Sequence, residues 1–190
     1  MNDDISKKTA SWACADDEGT IPSNKIHGLD ELISILTEPA SLKMMFTGDV
    51  ARLVYGGKAP FYATEGSAGI DLRYAGRERM RIPSGWQQVV PTGVCIHIKN
   101  ERLVGKLHAR SGNAARLKIR LANGTGVIDS DYIKEIGACL VNDGDADFWI
   151  NPGDRICQLV IEPVVKVGLR VVSKLEKTTR DGGFGSTGDK

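Results

Sequence analysis

Three stretches of the chain hold residue types that could do chemistry. In "GVIDSDY", Gly126 to Tyr132, an aspartate follows Val127 and Ile128. Apolar neighbours place the backbone of Asp129 in a strand or hairpin arm, where partial desolvation would raise its carboxyl toward the range of a working general base. An acidic residue at the solvated end of a strand accounts for the same letters. In "HARSGNAARLKIR", His108 to Arg120, Arg110 precedes Ser111 and Gly112. A guanidinium fork, a hydroxyl and a backbone N–H with no side chain over it make a cradle for phosphate oxygens, the more so where a helical turn begins. A helix start with Ser111 as its cap reads equally well, and His108 is taken as structural. The third stretch is "TTRDGGFGSTGDK", Thr178 to Lys190, with four glycines, one aromatic ring and one arginine. Its composition cannot offset the entropy of ordering it, so it should move in the free protein, yet mobility alone requires neither Arg180 nor Phe184.

Other motifs fail on their own chemistry. Gly183 to Gly188 has the spacing of a phosphate-binding P-loop, but Asp189 stands where lysine is essential. Asp143, Asp145 and Asp147 alternate as in a calcium loop, but Phe148 occupies the glycine position and Asp154 that of the bidentate glutamate, so a hairpin turn is the better reading. Cys14, Cys95, Cys139 and Cys157 lie far apart, with no zinc spacing, and read as small core residues in a reducing compartment. A net charge of +1 provides no field to capture a nucleic acid polymer. No apolar run approaches membrane-span length and "MNDDISKK" is no signal peptide, so a cytoplasmic protein is expected.

The elements that must position these residues follow from periodicity. With 190 residues and 41% hydrophobic composition, the chain can bury a core without staples. "VCIHI", "IGACLV", "RICQLVI" and "VGLRVV" are strand-length and β-branched. Between strands stand the turn signals Pro83-Ser84-Gly85, Asn142 to Asp145 and Asn151-Pro152-Gly153. This predicts an all-β barrel or sandwich of jelly-roll type over residues 47–177. Residues 1–46 read as an appended extension in which Leu29, Leu32, Ile33 and Leu36 share one helical face until Pro39. That face would pack on the barrel or a neighbouring subunit, or dock a protein partner. Residues 178–190 form the mobile end.

In order, the chain contains "SAGIDL", "ARSGNA", "NGTGVIDSDY", "PGDRICQLVIEP" and "RDGGFGSTG". Over residues 49–188 this series resembles the five motifs of the homotrimeric dUTPases, which hydrolyse dUTP to dUMP and pyrophosphate, limiting uracil in DNA and supplying dUMP for dTMP synthesis. The resemblance implies a jelly-roll subunit, a trimer with sites shared between chains, and a Mg²⁺ ion held mainly by the substrate phosphates. It makes Asp129 the general base for water attacking the α-phosphorus. Arg110, Ser111, Gly112 and Gln158 would line the phosphates, and Asp71 would support the ion through water. Asn123, Gly126, Val127, Ile128 and Gly137 would present backbone to uracil, and Tyr132 would exclude a 2′-hydroxyl. The tail becomes a lid in which Phe184 stacks on the base while Arg180, Gly185, Ser186 and Thr187 hold the terminal phosphate.

The chain departs from that pattern in three places. Ala109 stands where proline often does, "YIKE" replaces the usual residues after the tyrosine, and "RDGGF" is one residue short between arginine and phenylalanine. A dCTP deaminase, similar in fold, would need a catalytic glutamate and a different base-binding loop. A signalling protein built on the same body would use residues 1–46.

Overall fold

The computed structural model describes residues 42–179. Ten strands and two short helices lie within them, all strand pairs antiparallel: β1 Lys43–Phe46, α1 Asp49–Val54, β2 Ile70–Arg73, β3 Met80–Ile82, β4 Gln87–His97, β5 Leu103–Ala109, α2 Ser111–Leu117, β6 Ile119–Leu121, β7 Gly126–Ile128, β8 Glu135–Asn142, β9 Phe148–Ile150 and β10 Arg155–Pro163. One sheet has the order β1-β4-β8-β6 and the other β2-β10-β5-β7, with β3-β9 as a small ribbon. The fold is all-β and jelly-roll-like, as the turn-punctuated β-branched runs predict. The segment Leu29 to Leu36 and the tail from Arg180 lie outside the described residues.

Alternation builds the core. On β8, Ile136, Ala138 and Leu140 point inward while Gly137, Cys139 and Val141 point out. They meet Val90, Val94 and Ile96 of β4 and Leu107 and Leu159 of the opposite sheet in one continuous cluster. Each large side chain so buried contributes roughly 1.5 to 3 kcal/mol, which explains a fold without covalent staples. Cys95, Cys139 and Cys157 are free thiols; Cys95 and Cys157 are buried as expected, whereas Cys139 is only partly buried on the outer side of β8.

Three expectations need correction. β1 pairs with β4 from Lys43↔His97 to Phe46↔Val94, so the sheet begins before residue 47. The turns at Asn142 to Asp145 and Asn151 to Asp154 form, but not as hairpins. β8 pairs with β4 and β6, β9 with β3, and β10 with β2 and β5, so each turn carries the chain to another sheet. "VGLRVV" is no strand. Residues 164–179 have no ladder partner among the described residues, and Val167, Leu169 and Val171 stand 72%, 93% and 99% exposed.

Candidate active site

One end of the sheet β2-β10-β5-β7 gathers a polar cluster on its outer face. Gln158 lies between Asp71 of β2 and His108 of β5 in register, and Arg110 follows His108 by two residues, returning to the same face. The Asp71 side chain is only 11% exposed and both its oxygens are engaged. Arg110 Nε donates to Oδ1 at 3.0 Å, Gln158 Nε2 to the same oxygen at 3.4 Å, and Arg155 Nη1 to Oδ2 at 3.0 Å. The carboxylate thus holds two guanidinium groups and an amide around it, with most of their other N–H donors unbonded among the described residues.

Arg155 was not legible in sequence. Strict alternation puts it on the face opposite Gln158, three residues on. A bulge between Arg155 and Cys157 inserts one residue and brings Arg155 opposite Arg73, on the Asp71 face. Directly beneath, Cys157 is fully buried. Burial pushes its thiol up to about 12, and the nearby Asp71 charge adds to this.

After β5 the chain turns into α2. The Ncap residue is Arg110, at φ −73° and ψ 130°, so Ser111 is the first helical residue rather than the cap. No side chain caps this end, and the first-turn N–H groups have no intrahelical acceptor. Ser111 and Gly112 therefore stand beside Arg110 with hydroxyl and backbone donors free. His108, half-exposed, has Nε2 3.9 Å from Glu162, whose other oxygen accepts from Lys106 Nζ at 2.6 Å. That bond holds the Glu162 carboxyl below its usual value.

The second group of residues lies elsewhere. β7 pairs with β5 as Gly126↔Leu107 and Ile128↔Gly105, with Val127 outward and exposed. A Cβ on Gly126 would meet Leu107 Cβ at 3.0 Å, so glycine allows the close approach of these strands. Asp129 follows at once, exposed and without an ion pair or side-chain hydrogen bond among the described residues. Among the described residues nothing covers the end of β7, so the apolar enclosure expected for Asp129 is not formed by them. The chain then turns: Tyr132 N–H donates to the Asp129 carbonyl at 3.1 Å, and Tyr132 Oη donates to the Glu135 carbonyl at 2.9 Å, fixing the ring. β7 and β8 belong to different sheets, so the expected hairpin is instead a crossover between them. Gly137 faces outward on β8, where a Cβ would come within 2.8 Å of Val89 Cγ1. Asn123 is exposed, its carbonyl accepting from Thr125 N–H at 2.7 Å.

The register measures how far apart these two groups are. Asp129 follows Ile128, which is opposite Gly105, and so falls beside Val104; Arg110 lies six residues further along β5. At strand rise that is about 20 Å. Asp71, Arg110, Gln158 and Arg155 come together, and Asp129 with Tyr132 comes together, but the two sets stand at opposite ends of one strand. Arg180, Phe184, Gly185, Ser186 and Thr187 lie outside the described residues. The acidic series is accounted for by ion pairs: Asp143 with Arg120, Asp145 with Lys118 and Asp147 with Arg81. Among the described residues no group of three or more His, Cys, Asp or Glu side chains could hold a metal ion.

Comparison with known proteins places this geometry. A dUTPase family model matches residues 56–188. The deoxyuridine 5′-triphosphate nucleotidohydrolase of Hahella chejuensis is 44% identical over 132 residues, covering 69% of this chain and 87% of that protein. The one of Xanthomonas euvesicatoria is 45% identical over 130 residues, covering 68% and 84%. Among solved structures, a mutant dUTPase of Staphylococcus bacteriophage 80alpha with dUpNHpp superposes with a TM-score of 0.67 at 24% identity, over 79% of this chain and 99% of its own. A mutant of the phage phi11 dUTPase of S. aureus, described with a structural Mg(II) ion, superposes at 0.61 with 23% identity, over 72% of this chain and 99% of its own. These last two speak to fold alone. The family model spans most of the chain and the curated relatives share more than two fifths of its residues over nearly their whole length, so the chain belongs to the dUTPase family of hydrolases.

Proposed function

We propose that the protein is a dUTP diphosphatase working as a homotrimer, in which Asp129 of one copy and the Asp71 cluster of another enclose one dUTP. The observation that carries this reading is the separation of about 20 Å between the two groups along β5. A triphosphate held by Arg110, Ser111, Gly112, Gln158 and Arg155 is out of reach of Asp129 in the same chain. A second copy closes the distance, and the same packing would cover Asp129, supplying the desolvation that the described residues do not. The exposed apolar arm of residues 164–179 asks for the same neighbour.

The chemistry follows from these positions. Asp129 accepts a proton from water aligned on the α-phosphorus while the bond to the β-phosphate oxygen breaks, leaving dUMP and pyrophosphate. A base of this kind supplies roughly 10²- to 10⁴-fold, so the larger share comes from alignment and from guanidinium charge set in place beforehand by Asp71. The backbone of Gly126 to Ile128, with Asn123 and Gly137, reads the uracil edge. Cytosine would leave buried partners unpaired at about 1 to 3 kcal/mol each. Tyr132, fixed by its bond to the Glu135 carbonyl, leaves no room for a 2′-hydroxyl. Phe184 stacks on the base and Arg180, Gly185, Ser186 and Thr187 close over the terminal phosphate.

Magnesium fits this site only as an ion brought by the triphosphate. Both Asp71 oxygens already accept hydrogen bonds and the described residues form no cage, so Asp71 would support the ion through water. When bound, the ion would neutralise charge on the phosphate oxygens. The reaction, which limits dUTP and supplies dUMP for dTMP synthesis, fits the cytoplasm, as do three unpaired thiols.

The test is a pyrophosphate-release assay with dUTP, dCTP, dTTP and UTP on wild type and Asp129→Asn. Turnover is expected with dUTP alone and is lost in the variant. Ammonia from dCTP would make it a deaminase, and comparable turnover of UTP would remove the role of Tyr132.

A further inference from the structure

The outer face of β2 and β10 extends beyond the Asp71 cluster. The loop after α1 folds over it, and between loop and sheet lies a cavity of about 410 Å³. Tyr55, Pro60, Phe61 and Ala63 form the loop side, and Arg73 and Arg155 the sheet side, with Asp71 at the border toward Arg110. Among the described residues each of these guanidinium groups makes a single hydrogen bond: Arg73 Nη1 to the Gly153 carbonyl at 2.7 Å, Arg155 Nη1 to Asp71 Oδ2 at 3.0 Å. A guanidinium carries five N–H donors, so most donors at this cavity have no acceptor among the described residues. Two carboxylates, Asp71 and Glu135 behind Tyr55, stand among the three guanidiniums of Arg73, Arg110 and Arg155, so the surroundings stay positive at +1.

Resting on the hydrolysis proposed above, we infer that this cavity is an anion subsite that takes the pyrophosphate product. Two planar forks match phosphate oxygens in pairs, and their bonds to an anion are charge-assisted. No side chain on the loop side of the cavity presents a free hydrogen-bonding edge to a nucleobase. The Tyr55 hydroxyl is bound to the Thr92 carbonyl at 3.0 Å and to Arg73 N–H at 2.8 Å, and Phe61 and Pro60 offer neither side-chain donor nor acceptor. Arg155 borders both the Asp71 cluster and the cavity, so the leaving group moves from one to the other along one side chain. Arg73 has no part in holding dUTP, and this separates retention of the product from binding of the substrate.

Isothermal titration of the full-length protein with inorganic pyrophosphate, paired with initial-rate and product-inhibition kinetics on dUTP, tests this on Arg73→Gln and Ala63→Met. The second variant fills the cavity from an exposed loop position and leaves every arginine intact. Both should weaken pyrophosphate binding and product inhibition about tenfold or more, while initial-rate kcat/KM for dUTP stays unchanged. Equal affinity in wild type and both variants would place the anion on Arg110 and Gln158 alone and overturn the subsite. So would the absence of pyrophosphate binding in a wild type that hydrolyses dUTP. Binding lost in both variants of a protein with no dUTP turnover would uphold the subsite and reject the hydrolase reading.

Discussion

Asp71 is the residue on which the cluster turns. It sits at 11% exposure between two arginines, and its removal would leave their charges facing each other without a counterion. Asp71→Ala should cost about 1.5 to 3 kcal/mol in urea denaturation and raise KM for dUTP, because hydrogen bonds to a charged group are lost and both forks come loose. Unchanged stability would mean the carboxylate organises nothing. Buried acids set a second expectation. Burial pushes Cys157 from 9.0 to about 12 and Tyr55 from 10.0 to about 12. Both keep their protons to higher pH in the fold than in the unfolded chain. Their contribution is complete below about pH 9 and is lost as pH rises through about 12. Denaturation midpoints should therefore fall between pH 8 and pH 11, and Cys157→Ala should flatten part of that slope. Asp129 and Arg110 could be singled out from their side-chain chemistry, whereas Tyr132 and Gln158 were named only through the family resemblance. Arg155 could not be singled out, because its face depends on a bulge that no local pattern announces.

At the level of elements, the bend in β4 turns on one glycine packed against α1 and the chain after β2. The register shifts between Pro91 and Cys95, and Gly93 in that bulge has φ +71°. Its N–H donates to Glu135 Oε1 at 2.7 Å, while the buried Thr92 hydroxyl donates to the Ile136 carbonyl at 2.7 Å. A Cβ here would sit 2.3 Å from Ala51 Cβ and 2.7 Å from Ala75 Cβ. Gly93→Ala therefore combines overpacking with a left-handed backbone and should lose about 2 to 5 kcal/mol, read from thermal or urea unfolding. The first strand allows a sharper cut. Deleting residues 1–41 should leave dUTP turnover unchanged if the extension serves only a partner. Deleting 1–46 also removes β1 and should destabilise the sheet even so. Strand identity was readable in β4, β8 and β10 from β-branched runs. Which strand pairs with which was not, and the two supposed hairpins became crossovers, because turn residues specify a reversal and say nothing of the sheet that receives it.

For the whole molecule, the separation along β5 makes a prediction about assembly. Asp129→Asn and Arg110→Gln should each be inactive alone, yet partly active when co-refolded, since mixed oligomers contain sites with both residues intact. No recovery would place both groups in one subunit's site and contradict the geometry. Sedimentation should give a trimer, and truncation after Pro163 should dissociate it by removing the exposed Val165 to Leu175 arm. The motif series and the β-class of the body were decided by the sequence alone, for they rest on side-chain types in order and a period of two. Tertiary structure alone decided that Asp71 binds two arginines and that Asp129 lies far from them. Distances across a sheet depend on register and bulges summed over strands remote in sequence, and no local run of residues carries that sum.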